Sequence, residues 1–193
     1  MSDFSICMAH GAGVGHKSTF LEQLAATICR SQTHTYLPIR FDYMKSIEVT
    51  GKRRPPPKFD SLIAEFSQAI PKDSPVIACG KSMGGRVATQ LTHLDQVKGV
   101  VCLGFPFYPP GKKEKHRLAF LQNLQVPCLI IQGTRDAMGN KAWVDEQNLS
   151  PLVHVHWIEG ADHDFNLLKN TGRSQQDVLE EIVNVMAWWI KSI

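Results

Sequence analysis

Short apolar runs alternate with longer stretches of helical periodicity along the whole of this 193-residue chain. The runs Ser5–Ala9, Thr35–Phe41, Pro75–Cys79, Gly99–Leu103, Pro127–Ile131 and Val153–Ile158 predict six strands. Three of them are nearly continuous in apolar or β-branched residues, the pattern of strands covered on both faces. Between them, Ser18–Arg30 sets Phe20, Leu21, Leu24 and Ile28 on one stripe, and Asp60–Ile70 does the same with Leu62, Ile63, Phe66 and Ile70. Further helices are expected over Gly85–Leu94, Lys141–Leu149 and Gln175–Ile190, the last repeating Val178, Leu179, Ile182, Val185, Met186 and Trp189 at helical spacing. Strands alternating with helices imply an α/β fold, a parallel sheet with helices on both faces. The loop-like stretches Thr50–Lys58 and Gly104–Lys115 are rich in proline or charge, but neither reads as a linker. One domain over residues 1–193 is the expectation.

The third predicted strand runs into Gly80-Lys81-Ser82-Met83-Gly84-Gly85, with a helix expected immediately after it. A sharp strand-to-helix turn strains the backbone at its apex and crowds the flanking main chain, which residues without Cβ relieve. Such a turn exposes the serine oxygen beside the unpaired N–H groups of a helix start. Ser82 is therefore the candidate nucleophile, and the spacing excludes a phosphate-binding P-loop. A serine hydroxyl needs an adjacent base, itself oriented by a third group. Asp136 follows the fifth strand in Gly133-Thr134-Arg135-Asp136, and His163 follows the sixth in Gly160-Ala161-Asp162-His163. Both fall at the carboxyl edge of the sheet, where α/β sites form. Asp162 and Asp164, as immediate neighbours of His163, are poorly placed to receive its ring N–H.

An oxyanion hole needs two N–H donors. Met83, next after the serine, supplies one. The loop His10-Gly11-Ala12-Gly13 after the first strand supplies the other, with Ala12 favoured and Gly11 or Gly13 as alternatives. Gly11, Phe107 and Tyr108 are the candidate substrate-binding residues, although plain packing suits the two aromatics equally well. His154 and His156 alternate along a strand with no evident third ligand, so no metal is expected.

Composition changes this picture little. Hydrophobic residues make up 43% and charged residues 20%, ordinary for a globular chain. A formal charge of +3 gives no reason to expect nucleic acid. The basic clusters Lys52-Arg53-Arg54 and Lys112–Arg117 read as solvated loop faces, and Lys81 and Arg86 as packing or surface residues. No apolar run reaches membrane-span length, and the N-terminus carries no basic, apolar leader pattern. The five cysteines form no CxxC pair, and four lie in strand-like runs, so free thiols and a cytoplasmic location are expected.

Taken together, His10-Gly11-Ala12-Gly13, Gly80–Arg86, Gly133–Asp136 and Gly160–His163 resemble the motifs of the α/β-hydrolase superfamily. The resemblance spans essentially the whole chain. Within the superfamily it is similar to small bacterial dienelactone-hydrolase-like proteins. It also resembles the hydrolase-like domain of a nonspecific-lethal chromatin complex subunit and its testis-expressed relatives. Relative to that pattern the first two strands are missing, and no lid follows Leu103. The resemblance thus implies a minimal fold with about six parallel strands, no lid domain and an open cleft. The implied activity is that of a cofactor-free serine hydrolase acting on a small ester, thioester or lactone. The alternative is a non-catalytic interaction module that has kept the fold.

Overall fold

A computed structural model describes residues 4–31 and 34–193. Six strands form a single all-parallel sheet: β1 (Ser5–Ala9), β2 (Thr35–Ile39), β3 (Val76–Lys81), β4 (Val97–Leu103), β5 (Cys128–Gly133) and β6 (Val153–Ile158). Their spatial order is β2-β1-β3-β4-β5-β6. Pro38 interrupts an otherwise strand-like run, and β2 is accordingly an edge strand paired only with β1, where a missing N–H is tolerated.

The period-two alternation within the central strands builds two cores. Cys7 and Ala9 of β1, Ala78 of β3, Val100 and Cys102 of β4 and Ile130 of β5 face one side. There they meet helix α3 (Phe59–Ala69) through Leu62 and Phe66, and the short helix α4 (Met83–Ala88) through Val87 and Ala88. Ile6, Met8, Ile77, Cys79, Val101, Leu103, Leu129 and Ile131 face the other side. That side is closed by α1 (Thr19–Ser31) and α6 (Gln175–Ile190), with Leu21, Leu24, Ile28, Val178, Leu179 and Ile182 as their buried stripes. Each fully buried Leu or Ile contributes roughly 1.5–3 kcal/mol, which locks the four central strands in register. Ser174 and Asp177 form a reciprocal capping box that fixes where α6 begins.

Three local departures from the sequence expectation have physical causes. Helix α2 (Asp42–Thr50) is additional: only Tyr43 and Met44 are buried in its nine residues, too few to show a period. Its real signature is Gly51, which ends it in a left-handed conformation with its N–H on the Ile47 carbonyl. The helix after Ser82 begins at Met83 but ends at Ala88, short of the expected Leu94, and tightens into a 3-10 turn at Thr89–Leu91. Helix α5 (Lys141–Asp145), capped by the Asn140 side chain, is shorter than expected.

The connection from β4 to β5 carries only two 3-10 turns, Lys113–Lys115 and Leu118–Leu121, so there is no lid domain. No helix among the described residues is long and apolar enough to cross a membrane.

Candidate active site

The strand registers place the functional loops. Ala9 pairs with Gly80 across β1 and β3, so the loop 10–13 leaves the sheet beside the turn at Ser82. These strands flank the point where the chain reverses its direction of sheet construction, the usual site of α/β chemistry. Ser82 itself has φ 51° and ψ −111°, an unfavourable conformation for a residue with a side chain. The turn is possible because its flanks are glycine. A Cβ on Gly80 would lie 2.1 Å from the Gly84 carbonyl carbon, and one on Gly84 would lie 2.6 Å from the Ala9 oxygen. Two main-chain bonds hold the apex: Ser82 N–H donates to Leu103 O at 2.9 Å, and Arg86 N–H donates to Ser82 O at 3.2 Å.

From this turn a hydrogen-bonded chain runs across the sheet edge. Ser82 Oγ lies 2.9 Å from His163 Nε2, and His163 Nδ1 lies 2.7 Å from Asp136 Oδ2. Asp136 is completely buried. Its Oδ2 also accepts from Gln132 Nε2 at 2.8 Å, and its Oδ1 accepts from Met138 N–H at 2.7 Å. A carboxylate so placed fixes the imidazole proton on Nδ1 and leaves the Nε2 lone pair facing the serine. The flanking acids are engaged elsewhere. Asp162 accepts from the main chain of Asp164 and Asn166, while Asp164 meets Lys81 Nζ at 3.3 Å.

The loop after β1 is held from behind. His10 is fully buried, and its Nε2 accepts from Phe41 N–H at 3.3 Å. Its proton therefore sits on Nδ1, which donates to Gly11 O at 2.7 Å. Burial pushes the His10 pKa down to about 4. Tyr43 Oη, on α2, reaches Gly11 O at 3.3 Å and Ala12 O at 3.0 Å. In a trans peptide the N–H points opposite to the carbonyl before it. Drawing Gly11 O toward His10 and Tyr43 thus turns Ala12 N–H away from them. Met83 N–H is the first of α4 and has no partner within the helix.

Two cavities open on either side of Ser82. The first, about 400 Å³, is lined by residues including Gly11, Phe20, Lys81, His163 and Asn166. The second, about 440 Å³, is lined by residues including Pro57, Phe59, Met83, Arg86, Arg117 and Met138. Ala12 and Ser82 are the residues they share. A larger hollow of about 970 Å³, bordered by Phe4, Pro75 and Pro127, lies at the opposite end of the strands and contains none of these groups. Lys81 is a cleft residue, buried beside Ser82, and burial lowers its pKa against the opposing pull of Asp164.

Phe107 and Tyr108 line neither cavity. They are buried, with Tyr108 edge-on to Trp143 at 4.7 Å and Phe107 against Phe105 at 5.0 Å. The Tyr108 hydroxyl accepts from Asn140 Nδ2. Of the proline-rich loop after β4, it is Pro106 that reaches the cleft.

Residues 2–191 match the alpha/beta hydrolase domain family. The chain belongs to that family. Solved structures similar in fold include an esterase, Pf2001, from Pyrococcus furiosus, at TM-score 0.68 and 17% identity, covering 99% of this chain and 81% of that one. A dienelactone hydrolase from Anabaena variabilis aligns at TM-score 0.66 and 18% identity, over 99% of this chain and 87% of the other. An alpha-beta serine hydrolase homologue from Coxiella burnetii aligns at TM-score 0.66 and 13% identity, over 94% and 82%. Membership in the alpha/beta hydrolase family supports a hydrolytic activity.

Several contributors to this alpha/beta hydrolase site were not visible in the sequence. Gln132 holds Asp136, and its Nε2 also lies 3.2 Å from both Phe105 O and Gly139 O, tying three loops together. Its only signal was a polar residue at the end of an otherwise apolar strand. Tyr43 sits on the helix that had no readable period. Lys81 and Arg86 were in plain view beside Ser82, but periodicity does not say which way a turn residue points.

Proposed function

We propose that this chain is a serine hydrolase that cleaves small ester-like substrates through an acyl-Ser82 intermediate. One observation carries the reading: the continuous chain from Ser82 Oγ through His163 to buried Asp136, at 2.9 and 2.7 Å. The Ser82 oxygen attacks the substrate carbonyl while its proton passes to His163 Nε2. The carbonyl oxygen becomes an oxyanion facing the N–H groups of Met83 and Ala12, each worth about 10²–10³ in rate. The tetrahedral adduct collapses, the bond to the leaving group breaks, and the proton on Nε2 goes to the departing atom. Water then attacks the acyl carbon, giving its proton to His163, which returns it to Ser82 Oγ as the acid leaves. Asp136 stabilises the imidazolium in both halves and holds its tautomer. Every group the reaction needs comes from the chain, so no metal or organic cofactor takes part.

The test is a fluorophosphonate followed by intact mass, on wild type and Ser82→Ala. A single adduct on the wild type, absent from the variant, is expected. An unlabelled wild type, with no turnover of short nitrophenyl esters, would leave an interaction module as the better account of the fold.

A further inference from the structure

Arg86 is the least satisfied charged group beside the nucleophile. It lies one turn along α4 from Ser82, and its side chain borders the second cavity together with Met83 and Arg117. Its guanidinium carbon stands 4.6 Å from the Phe59 ring centre and 5.0 Å from that of Phe120. Its Nε is shut off from water and has no hydrogen-bond partner. Aromatic faces attract the charge but accept none of the five N–H donors well. Among the described residues, no Asp or Glu makes an ion pair with either arginine. Arg117 is anchored by its own main chain, whose N–H donates to Phe107 O at 2.7 Å, and by Nη1 on Pro106 O at 2.9 Å. Burial and the neighbouring Arg117 push the Arg86 pKa down to about 10. Two like charges therefore converge on one partly apolar cavity with no protein counter-charge.

The cavities also differ in which side of the reaction they serve. His163 lines the first and not the second. The leaving group must depart within reach of the proton on His163 Nε2, so it occupies the first cavity and the acyl half occupies the second. Helical side chains lean toward the helix N-terminus. Arg86 thus reaches back over the single turn of about 5.4 Å that separates it from the serine. A planar monoanion on a short apolar chain suits a guanidinium bordering a cavity that Pro56, Pro57, Phe59 and Leu62 also line. A phosphate dianion would call for more free donors.

On the reading of Ser82 given above, we propose that the acyl half of the substrate carries a terminal carboxylate, a few carbons from the scissile carbonyl, which pairs with Arg86 and Arg117. The probes are 4-nitrophenyl hydrogen glutarate and its neutral counterpart 4-nitrophenyl pentanoate, corrected for spontaneous hydrolysis. Wild type is expected to favour the charged ester in kcat/KM by at least about tenfold, as a charge-assisted hydrogen bond implies. That preference should fall about tenfold in Arg86→Met and in Arg117→Met, mainly through KM, and recover partly in Arg86→Lys. Hydrolysis of the pentanoate with no preference for the hemiester leaves the serine reading standing and overturns this one.

Binding is read separately by titrating monomethyl glutarate into Ser82→Ala in a calorimeter. Saturable binding that Arg117→Met weakens about tenfold supports the site even if no ester is turned over. No saturable binding overturns it, and so does inorganic phosphate binding more tightly than monomethyl glutarate.

Discussion

Acidification should loosen this protein through His10, well before its carboxylates titrate. The ring is buried and neutral, with Nε2 accepting from Phe41 N–H and Nδ1 donating to Gly11 O. A second proton would turn the acceptor into a donor facing another donor. The folded-state pKa of about 4 lies below the ordinary value of 6.5. Below pH 6.5 the unfolded chain therefore binds a proton that the native chain refuses. Stability is complete above that pH and declines as the pH falls toward 4. Linkage gives a loss of about 2 kcal/mol between pH 7.5 and pH 5 from this one group. His16, whose pKa is also lowered by burial, acts in the same direction. The assay is urea unfolding at a series of pH values, for wild type and for His10→Gln, which keeps a donor and an acceptor but does not titrate. The variant should be less stable at neutral pH yet lose about 2 kcal/mol less on acidification. Parallel pH profiles for the two proteins would refute the reasoning.

Gly80→Ala should abolish folding or cost well over about 3 kcal/mol, because its methyl would sit inside the Gly84 main chain. Gly13→Ala, with no atom beyond its own chain neighbours within 4 Å of the added carbon, should stay within about 0.5 kcal/mol of wild type in thermal melts. Gln132→Met removes a donor to Asp136 and one to Gly139 O, while Phe105 O keeps only the Phe107 N–H at 2.9 Å. It should lower stability by about 2–4 kcal/mol, with a fall in esterase kcat larger than any change in KM. A thiol reagent should modify one cysteine, Cys29, in the native protein and all five after unfolding, since the other four are buried and Cys7 is pushed up to about 12.

The strands and the larger helices were legible because their burial repeats at a fixed interval along the chain. Ser82, Asp136 and His163 were legible because each ends or follows a strand, and parallel strands bring such ends to one edge. Helix α2 was not, having two buried residues in nine. Nor was the grip of Tyr43 on the loop 10–13, which links residues 31 and 32 positions apart through a side chain on that helix. Phe107 shows a different limit. Aromatic residues in a proline-rich loop read equally well as lining or packing, and the choice depends on Trp143, which follows in a later helix. Arg86 read as a packing or surface residue because nothing in a sequence reveals that a cation lacks a counter-charge.

The two hollows around Ser82 touch only at Ala12 and the serine itself. One is walled by α1 and the loop after β6, the other by α3 and the loop after β4, so they share almost no wall. Replacements in one wall should add to replacements in the other, as expected for sites without common neighbours. On the proposed assignment of acyl and leaving halves to the two hollows, selection, natural or in the laboratory, can retune acid and alcohol preference one at a time, and two separately improved variants can be combined without repair.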